Sequence, residues 1–565
     1  MMENGAKPLE RLHIPAYQWG SEGLHGPLQP CVCDATNTTC VCPTDFPCPS
    51  AMAAAFNDSL YFKVGQADGR EGRAINNLRN HATQNVYGDG IDYWSPTINM
   101  QRDPRWGRNQ EVPGEDPMLT GNYAANFVQG IQGEFGGLDS KHIQIVATCK
   151  HFVANSLENW HSFSRHNFNA KVSTHDLADY YLPPFKSCIM EGRAKGIMCS
   201  YNAVNGFPSC ANPWLLNTTL RNSWRFDGYV TSDCGAIRDV CAKEPSGHGF
   251  APDCAHGTAD SVIAGCDVDC GGQYAPGIPK AIAGGLLTEA DVDRSFSRLT
   301  SMQMQLGLFD SNKADQPYFN LGAKDISSPA HKQLALEAAQ QAIVLLKNDK
   351  QTLPLKAGQH IALIGPHFNG TEVFMSNYHG SACLNGKPGD GKDFSCIKTP
   401  LETITTANAG GKVTGVLGCD VNSKTDGIAQ AVAAAKAADV AVLVMGIDGS
   451  IEAEGRDRYN TTLPGLQIKL VTEVLKVAKS AVLILVSGGA MSLGGLKGSS
   501  PAIVEALYGG EAAAQALADV LFGAYNPSGK LAATMYPPSY VSEIPLTEMS
   551  LTAPPGRTHM YVGKH

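Results

Sequence analysis

No run of about eighteen apolar residues occurs anywhere in this chain of 565 residues, which excludes a membrane-crossing helix. Basic blocks are missing too. The 44 Lys and Arg are outnumbered by 53 Asp and Glu, a net charge of −9, so neither nucleic acid nor an anionic membrane is the expected partner. A neutral ligand fits better. The opening residues Met1-Met2-Glu3-Asn4-Gly5 lack the charged and apolar regions of a signal peptide. No repeat of 20 to 50 residues and no low-complexity tract stands out. The crowded segment Cys31-Val32-Cys33, Cys40-Val41-Cys42 and Cys48 lacks the C-x₂-C pairs of zinc folds and has no nearby His cluster, which ranks a metal site behind disulfides.

Cysteine itself is plentiful. The chain has 17 Cys, an odd number that leaves at least one over, and five Asn-x-Ser/Thr acceptors at Asn37, Asn57, Asn217, Asn369 and Asn460. Together these point to an oxidising compartment and a secreted protein. The length exceeds what one hydrophobic core supports, so two or more domains are expected.

Over residues 1–310, extended apolar runs ending in polar residues alternate with helical periodicity. The runs are Asp92 to Pro96, Ile143 to Thr148, Gly196 to Ser200, Gly228 to Ser232 and Ala264 to Asp269. Helices are expected over Thr120–Gln132, Thr174–Glu191 and Thr288–Leu306, where apolar residues recur every three or four positions. Polar residues gathered at strand C-termini favour a (β/α)8-type barrel over a doubly wound sheet. A linker is expected over 311–335, with a long helix spanning Pro329–Asn348. Residues 336–536 then alternate Val/Ile/Leu-rich strands with helices, the pattern of an α/β sandwich domain with a mostly parallel sheet. The tail, 537–565, has little periodicity.

Asp233 ends the run Gly228-Tyr229-Val230-Thr231-Ser232, and small residues follow it. A carboxylate at the end of a buried strand is aimed by a rigid element, as a nucleophile, acid or base needs to be. In the second block the strand ending at Gly446 runs into Ile451-Glu452-Ala453-Glu454-Gly455-Arg456-Asp457-Arg458, a charged loop where open α/β sheets hold ligands. One carboxyl from each domain, meeting across a cleft, is the equipment for hydrolysing a glycosidic bond with retention.

Seven blocks carry a resemblance that spans nearly the whole chain. They are RLHIPAYQWGSEGLHG (Arg11 to Gly26), YWSPTINMQRDPRWGRNQEVPGEDP (Tyr93 to Pro117), KHFVANSLE (Lys150 to Glu158), CSYNAVNG (Cys199 to Gly206), GYVTSDCGAI (Gly228 to Ile237), IEAEGRDR (Ile451 to Arg458) and LFGAYNPSGKL (Leu521 to Leu531). In that order they resemble a glycoside hydrolase of family 3, in its β-xylosidase-like branch. The resemblance implies a (β/α)-type barrel followed by an α/β sandwich, and an exo-acting retaining glycosidase that needs no metal or organic cofactor. Its substrate would be a carbohydrate with β-linked xylose at the non-reducing end. It puts the nucleophile on Asp233 and the acid/base on Glu454, with Glu452 as the alternative. Lys150, His151 and Arg108 match sugar-binding positions, and Tyr201 matches a tyrosine beside the nucleophile. Glu22 stands where many glucoside-acting members have Asp. With Trp94 beside it, the longer side chain would crowd a hexose hydroxymethyl and favour a pentose. A β-glucosidase or α-L-arabinofuranosidase on the same site, or an inactive carbohydrate-binding relative, are the alternatives. Departures from the family pattern are a short lead before Arg11, which leaves the first barrel strand in question, a Cys-rich insert over Pro27–Pro49, and no third β domain after Tyr561.

Overall fold

The computed structural model describes residues 1–12, 14, 16–33, 40–83, 91–133, 142–310, 316–384, 393–422 and 425–563. The acceptor Asn37 lies outside the described residues, as does the start of the expected linker at 311–315. In the first lobe four parallel strands, β1 (Asp92–Tyr93), β2 (Val146–Phe152), β3 (Gly196–Cys199) and β4 (Tyr229–Ser232), lie in the order β4-β3-β2-β1. Every residue in them is buried, as near-continuous apolar strands covered on both faces should be.

Beyond these four the ring is irregular. Thr231 bridges Val268, Asn4 donates its N–H to Asp269 O at 2.9 Å, Gly5-Ala6 pairs antiparallel with Tyr17-Gln18, and Ser21 bridges Tyr93. The two edges of the sheet are thus connected through residues 2–6 and 17–21, with the antiparallel pair Gly5-Ala6 and Tyr17-Gln18 between them. The expected strand over Ala264–Asp269 is reduced to two isolated bridges, Thr231 to Val268 and Glu3 to Asp269, because Ala264 still belongs to a helix that ends on a left-handed glycine, Gly265.

Helices α1 (Asp58–Thr83), α2 (Pro117–Gln132), α3 (Pro183–Met190), α4 (Cys254–Ala264) and α5 (Glu289–Gln305) belong to the same lobe. Asp116 caps α2 by accepting from Leu119 N, and Pro117 supplies the preset first turn. α1 and α2 approach so closely that a Cβ on Gly130 would lie 2.2 Å from Phe62 O. The helix expected over Thr174–Glu191 is broken. A π turn over Leu177–Tyr181 precedes α3, since Pro183 and Pro184 have no N–H to continue the ladder.

In the second lobe β5 (Val344–Asn348), β6 (His360–Ile364), β7 (Lys412–Val416), β8 (Val440–Gly446), β9 (Ala481–Val486) and β10 (Ala502–Glu505) form one sheet in the order β5-β10-β9-β8-β6-β7. All neighbours are parallel except β5 and β10. Period-two alternation divides its residues between two cores: Val440, Val442 and Val444 pack on one face, Ala441, Leu443 and Met445 on the other. α6 (Pro329–Ala342) and α9 (Ala513–Leu521) cover the first face, α7 (Ile428–Ala437) and α8 (Gln467–Leu475) the second. The long helix expected through Asn348 therefore stops at Ala342. Residues 344–348 pair antiparallel with β10 instead, because that edge offers backbone partners to a run of Val and Leu.

The tail returns to the first lobe. Leu546, Met549 and Leu551 join the barrel core, and Arg557 is buried against Asp103 and Tyr540. Seven disulfides are formed, including Cys31–Cys42 and Cys33–Cys40 in the crowded segment, while Cys48, Cys266 and Cys419 are free and buried.

Candidate active site

Asp233 is the first residue after β4. Its N–H donates to Cys199 O at 3.1 Å, and its Oδ1 accepts from Cys234 N at 2.8 Å. Oδ2 carries no hydrogen bond among the described residues and faces His151 Nε2 at 3.7 Å. Burial pushes this carboxyl up, while the charges of Arg108, Arg165 and Lys150 pull it back. The end of β2 supplies Lys150 and His151. His151 Nδ1 lies 3.0 Å from Asn99 Oδ1, and Asn99 Nδ2 donates to His151 O at 2.8 Å. With the carboxamide oxygen facing it, Nδ1 is assigned the proton and Nε2 is left as an acceptor. Burial, then the neighbouring Arg108, Lys150 and Arg165, hold the imidazole well below its usual range, so it is neutral.

Lys150 Nζ donates to Glu22 Oε1 at 2.6 Å and lies 4.9 Å from the centre of the Tyr378 ring. Burial raises the Glu22 carboxyl to about 7 against the pull of Lys150. Arg108 is held by Glu111, which accepts from its Nε and from its Nη2 at 2.7 Å. Its Nη1 is buried, has no hydrogen-bond partner among the described residues and lies 3.8 Å from Glu454 Oε1.

Glu454 arrives from the other lobe, on the loop that follows β8. That loop is stapled to the barrel by Asp457, whose carboxyl accepts from Gly107 N at 2.9 Å, Glu158 N at 2.8 Å and Asn159 N at 2.9 Å. Only glycine fits at 107, where a Cβ would sit 1.9 Å from Arg456 O. Arg458 N also donates to Arg105 O at 2.7 Å. Glu454 Oε1 accepts from Arg165 Nη1 at 2.6 Å and Oε2 from the Tyr378 hydroxyl at 2.6 Å. Burial alone would raise this carboxyl, but Arg108, Arg165 and the Tyr378 hydrogen bond bring it down to about 2. Asp233 and Glu454 are close enough to raise each other's cost of ionisation, and the Arg165 guanidinium, 4.5 Å from the centre of the Tyr201 ring, lies within the field of both.

Two family models account for most of the chain: the glycosyl hydrolase family 3 N-terminal domain over residues 36–302 and the glycosyl hydrolase family 3 C-terminal domain over residues 343–559. The chain belongs to glycosyl hydrolase family 3. Beta-D-xylosidase 1 of Arabidopsis thaliana is 42% identical over 99% of this chain and 69% of its own length. The beta-xylosidase/alpha-L-arabinofuranosidase 1 of Medicago sativa subsp. varia is 41% identical over 99% and 70%. Among solved structures, a family 3 exo-β-xylosidase in complex with a xylobiose aziridine activity-based probe superposes with a TM-score of 0.90 at 36% identity, covering 100% of this chain and 70% of its own.

In this family 3 chain, six of the residues singled out from the sequence converge: Glu22, Arg108, Lys150, His151, Asp233 and Glu454; Tyr201 adjoins them through its hydroxyl, which donates to Cys234 O at 3.0 Å. Glu452, the alternative acid/base, is not among them. It is fully buried beside the end of β9, where it accepts from Gly488 N at 2.7 Å and Tyr508 OH at 3.0 Å and lies 3.6 Å from Arg458. These contacts tie the loop to the end of β9. Trp94 is also turned to the barrel interior: it packs over Gly20, and its indole nitrogen donates to Tyr229 OH at 3.3 Å. Sequence reasoning missed Arg165, Glu158, Glu111, Tyr378 and Asp457. Glu111, Glu158 and Asp457 all lie inside the quoted blocks, which is the signal the sequence gives for them.

Proposed function

We propose that this family 3 glycosidase removes single β-linked xylose units from the non-reducing ends of xylo-oligosaccharides or xylosides, through a covalent glycosyl-enzyme. The observation that carries the reading is the meeting of Asp233 and Glu454, one from each lobe, in a ring of donors with spare hydrogen-bonding capacity. Asp233 Oδ2 attacks the anomeric carbon as the bond to the leaving oxygen breaks, and Glu454 gives that oxygen its proton. Water then attacks the same carbon and returns a proton to Glu454, and the Asp233 carboxylate leaves. Two inversions give net retention.

Arg108 Nη1 offers an unused buried donor and His151 Nε2 an unused acceptor, suited to adjacent hydroxyls of a pyranose. Lys150 and Glu22 present a donor-acceptor pair to the same ring. The extra methylene of Glu22 over Asp takes room that a hydroxymethyl would need, which favours a pentose. The printed names of the Arabidopsis and Medicago relatives agree with that preference. Removal of α-L-arabinofuranose is the second reading, supported by the Medicago relative's double name. Seven disulfides favour maturation in an oxidising compartment and hence secretion.

A 2-deoxy-2-fluoro-xylosyl fluoride tests the chemistry: it labels Asp233, located by peptide mapping. Folded protein that takes no label, or takes it elsewhere, overturns the assignment. Nitrophenyl β-xyloside, β-glucoside and α-L-arabinofuranoside rank the sugars, and turnover of the glucoside alone refutes the pentose preference.

A further inference from the structure

Arg165 follows the short strand Phe163–Ser164 and approaches the same oxygen of Glu454, Oε1, as Arg108 does, but more closely, at 2.6 Å against 3.8 Å. One nitrogen, Nη1, donates both to Glu454 Oε1 at 2.6 Å and to Glu158 Oε2 at 2.9 Å. Glu158 is buried and independently fixed, accepting from Trp106 Nε1 at 3.0 Å and Gly455 N at 3.1 Å. Arg165 therefore keeps its place whether or not Glu454 is paired with it. Glu454, in contrast, has a side chain 35% exposed on a loop and can turn away toward an incoming aglycone.

We propose that Arg165, braced by Glu158, is the positioning residue that holds Glu454 as a carboxylate for the second half-reaction, and that aglycone entry draws Glu454 off Arg165 so that it takes up a proton for the first. This rests on Glu454 being the acid/base. The proton balance closes. Glu454 gains one proton from solvent as the aglycone binds and gives it to the glycosidic oxygen as the bond to the anomeric carbon breaks and the bond to Asp233 forms. Once the aglycone has left, the carboxylate returns to Arg165 and receives a proton from the attacking water. That proton passes to solvent or serves the next turnover. The charged or titratable groups facing Glu454 are Arg165, Arg108, Tyr378, Tyr201 and Asp233; Arg165 additionally faces Glu158 and His151. With Arg165 removed, among the described residues Arg108 at 3.8 Å and the Tyr378 hydroxyl remain to favour the ionised form.

The test uses 2,4-dinitrophenyl β-xyloside, whose leaving group departs without a proton, so that hydrolysis of the glycosyl-enzyme limits turnover. In Arg165→Gln the acid limb of kcat moves up by about one pH unit or more, as expected of a carboxylate that has lost its nearest cation. Below that limb kcat falls roughly tenfold per pH unit and KM falls with it as the intermediate accumulates. Azide, which needs no general base, restores turnover and yields the β-xylosyl azide. Arg165→Lys keeps most of the wild-type limb. Counting sites by the burst of dinitrophenolate restricts the comparison to folded enzyme. An unmoved acid limb with no azide rescue in either variant overturns the role of Arg165. Glu454→Gln separates the two readings: no azide rescue there removes the acid/base assignment itself, whereas rescue there but not in Arg165→Gln removes only the proposal for Arg165.

Discussion

Replacing Asp457 by Ala removes the staple between the lobes without touching the sugar site. Three barrel amides, Gly107 N, Glu158 N and Asn159 N, lose their acceptor at 2.8 to 2.9 Å. A hydrogen bond to a charged group contributes about 1.5–3 kcal/mol when removed singly. Three bonds to one carboxyl do not add in full, because burial and the neighbouring Glu158 already push Asp457 up to about 7. A net loss of about 3–4 kcal/mol is the expected compromise. It falls on the loop and not on either core, so the melting midpoint should drop by only a few degrees. Catalysis should suffer more selectively. A proton donor displaced by about 1 Å costs on the order of 100-fold. We therefore expect kcat/KM for phenyl β-xyloside, a poor leaving group, to fall on the order of 100-fold. The dinitrophenyl substrate should stay within about tenfold, since it needs no proton for departure. Equal losses on both substrates would mean that the site as a whole has collapsed, and no loss on either that Glu454 does not depend on this anchor; each result refutes the reasoning.

Glu22→Asp should raise the β-glucoside to β-xyloside ratio of kcat/KM by about tenfold, toward the low end of what one methylene commands, and an unchanged ratio counts against the pentose argument. Tyr378→Phe removes the 2.6 Å bond to Glu454 Oε2. Because the Glu454 carboxyl is held low, at about 2, its contribution to stability is present above its unfolded pKa and lost as pH falls toward 2. After discounting for its exposure, the variant should be less stable by about 1 kcal/mol at pH 6 and by almost nothing near pH 2, read from urea unfolding at both. Arg557→Ala leaves Asp103 short of a buried partner and should cost about 3–5 kcal/mol near neutral pH. Burial would raise Asp103, but hydrogen bonds from Arg105 and the charges of Arg557, Arg105 and Arg102 hold it well below the usual range. The gap between wild type and variant should accordingly shrink as the solution is acidified below the ordinary carboxylate range, and a gap independent of pH would contradict this.

Residues whose chemistry is set by a regular element were readable in advance. Asp233 follows directly on a strand, Lys150 and His151 end another, and the Val/Ile/Leu-rich runs alternating with helices mark the second sheet as mostly parallel and covered on both faces. What stayed hidden depends on contacts between distant segments. Arg165 and Tyr378 sit in turns with no periodicity, more than two hundred residues apart, and only the folded chain brings both to Glu454. The acidic loop offers two glutamates, of which the resemblance favours Glu454, and the three-dimensional partners set the buried, anchored Glu452 apart from the more exposed Glu454. β5 was misread for a related reason. The spacing of Ala335, Ala338, Ala339 and Ala342 continues plausibly into Val344 and Leu345, and the pairing that ends the helix comes from β10, some 160 residues later.

The return of the tail to the barrel has a practical bearing on how the protein can be handled. Arg557 grips Asp103, Asp103 grips the guanidinium of Arg105, and the carbonyl of Arg105 accepts from Arg458, four positions beyond Glu454. Clipping the polypeptide near residue 550, by a protease or by a shortened clone, would take Leu551 from the barrel core and Arg557 from Asp103, and would slacken the Glu454 loop from behind while the core of the second lobe stayed intact. Preparations nicked there would look sound by circular dichroism and still turn over slowly.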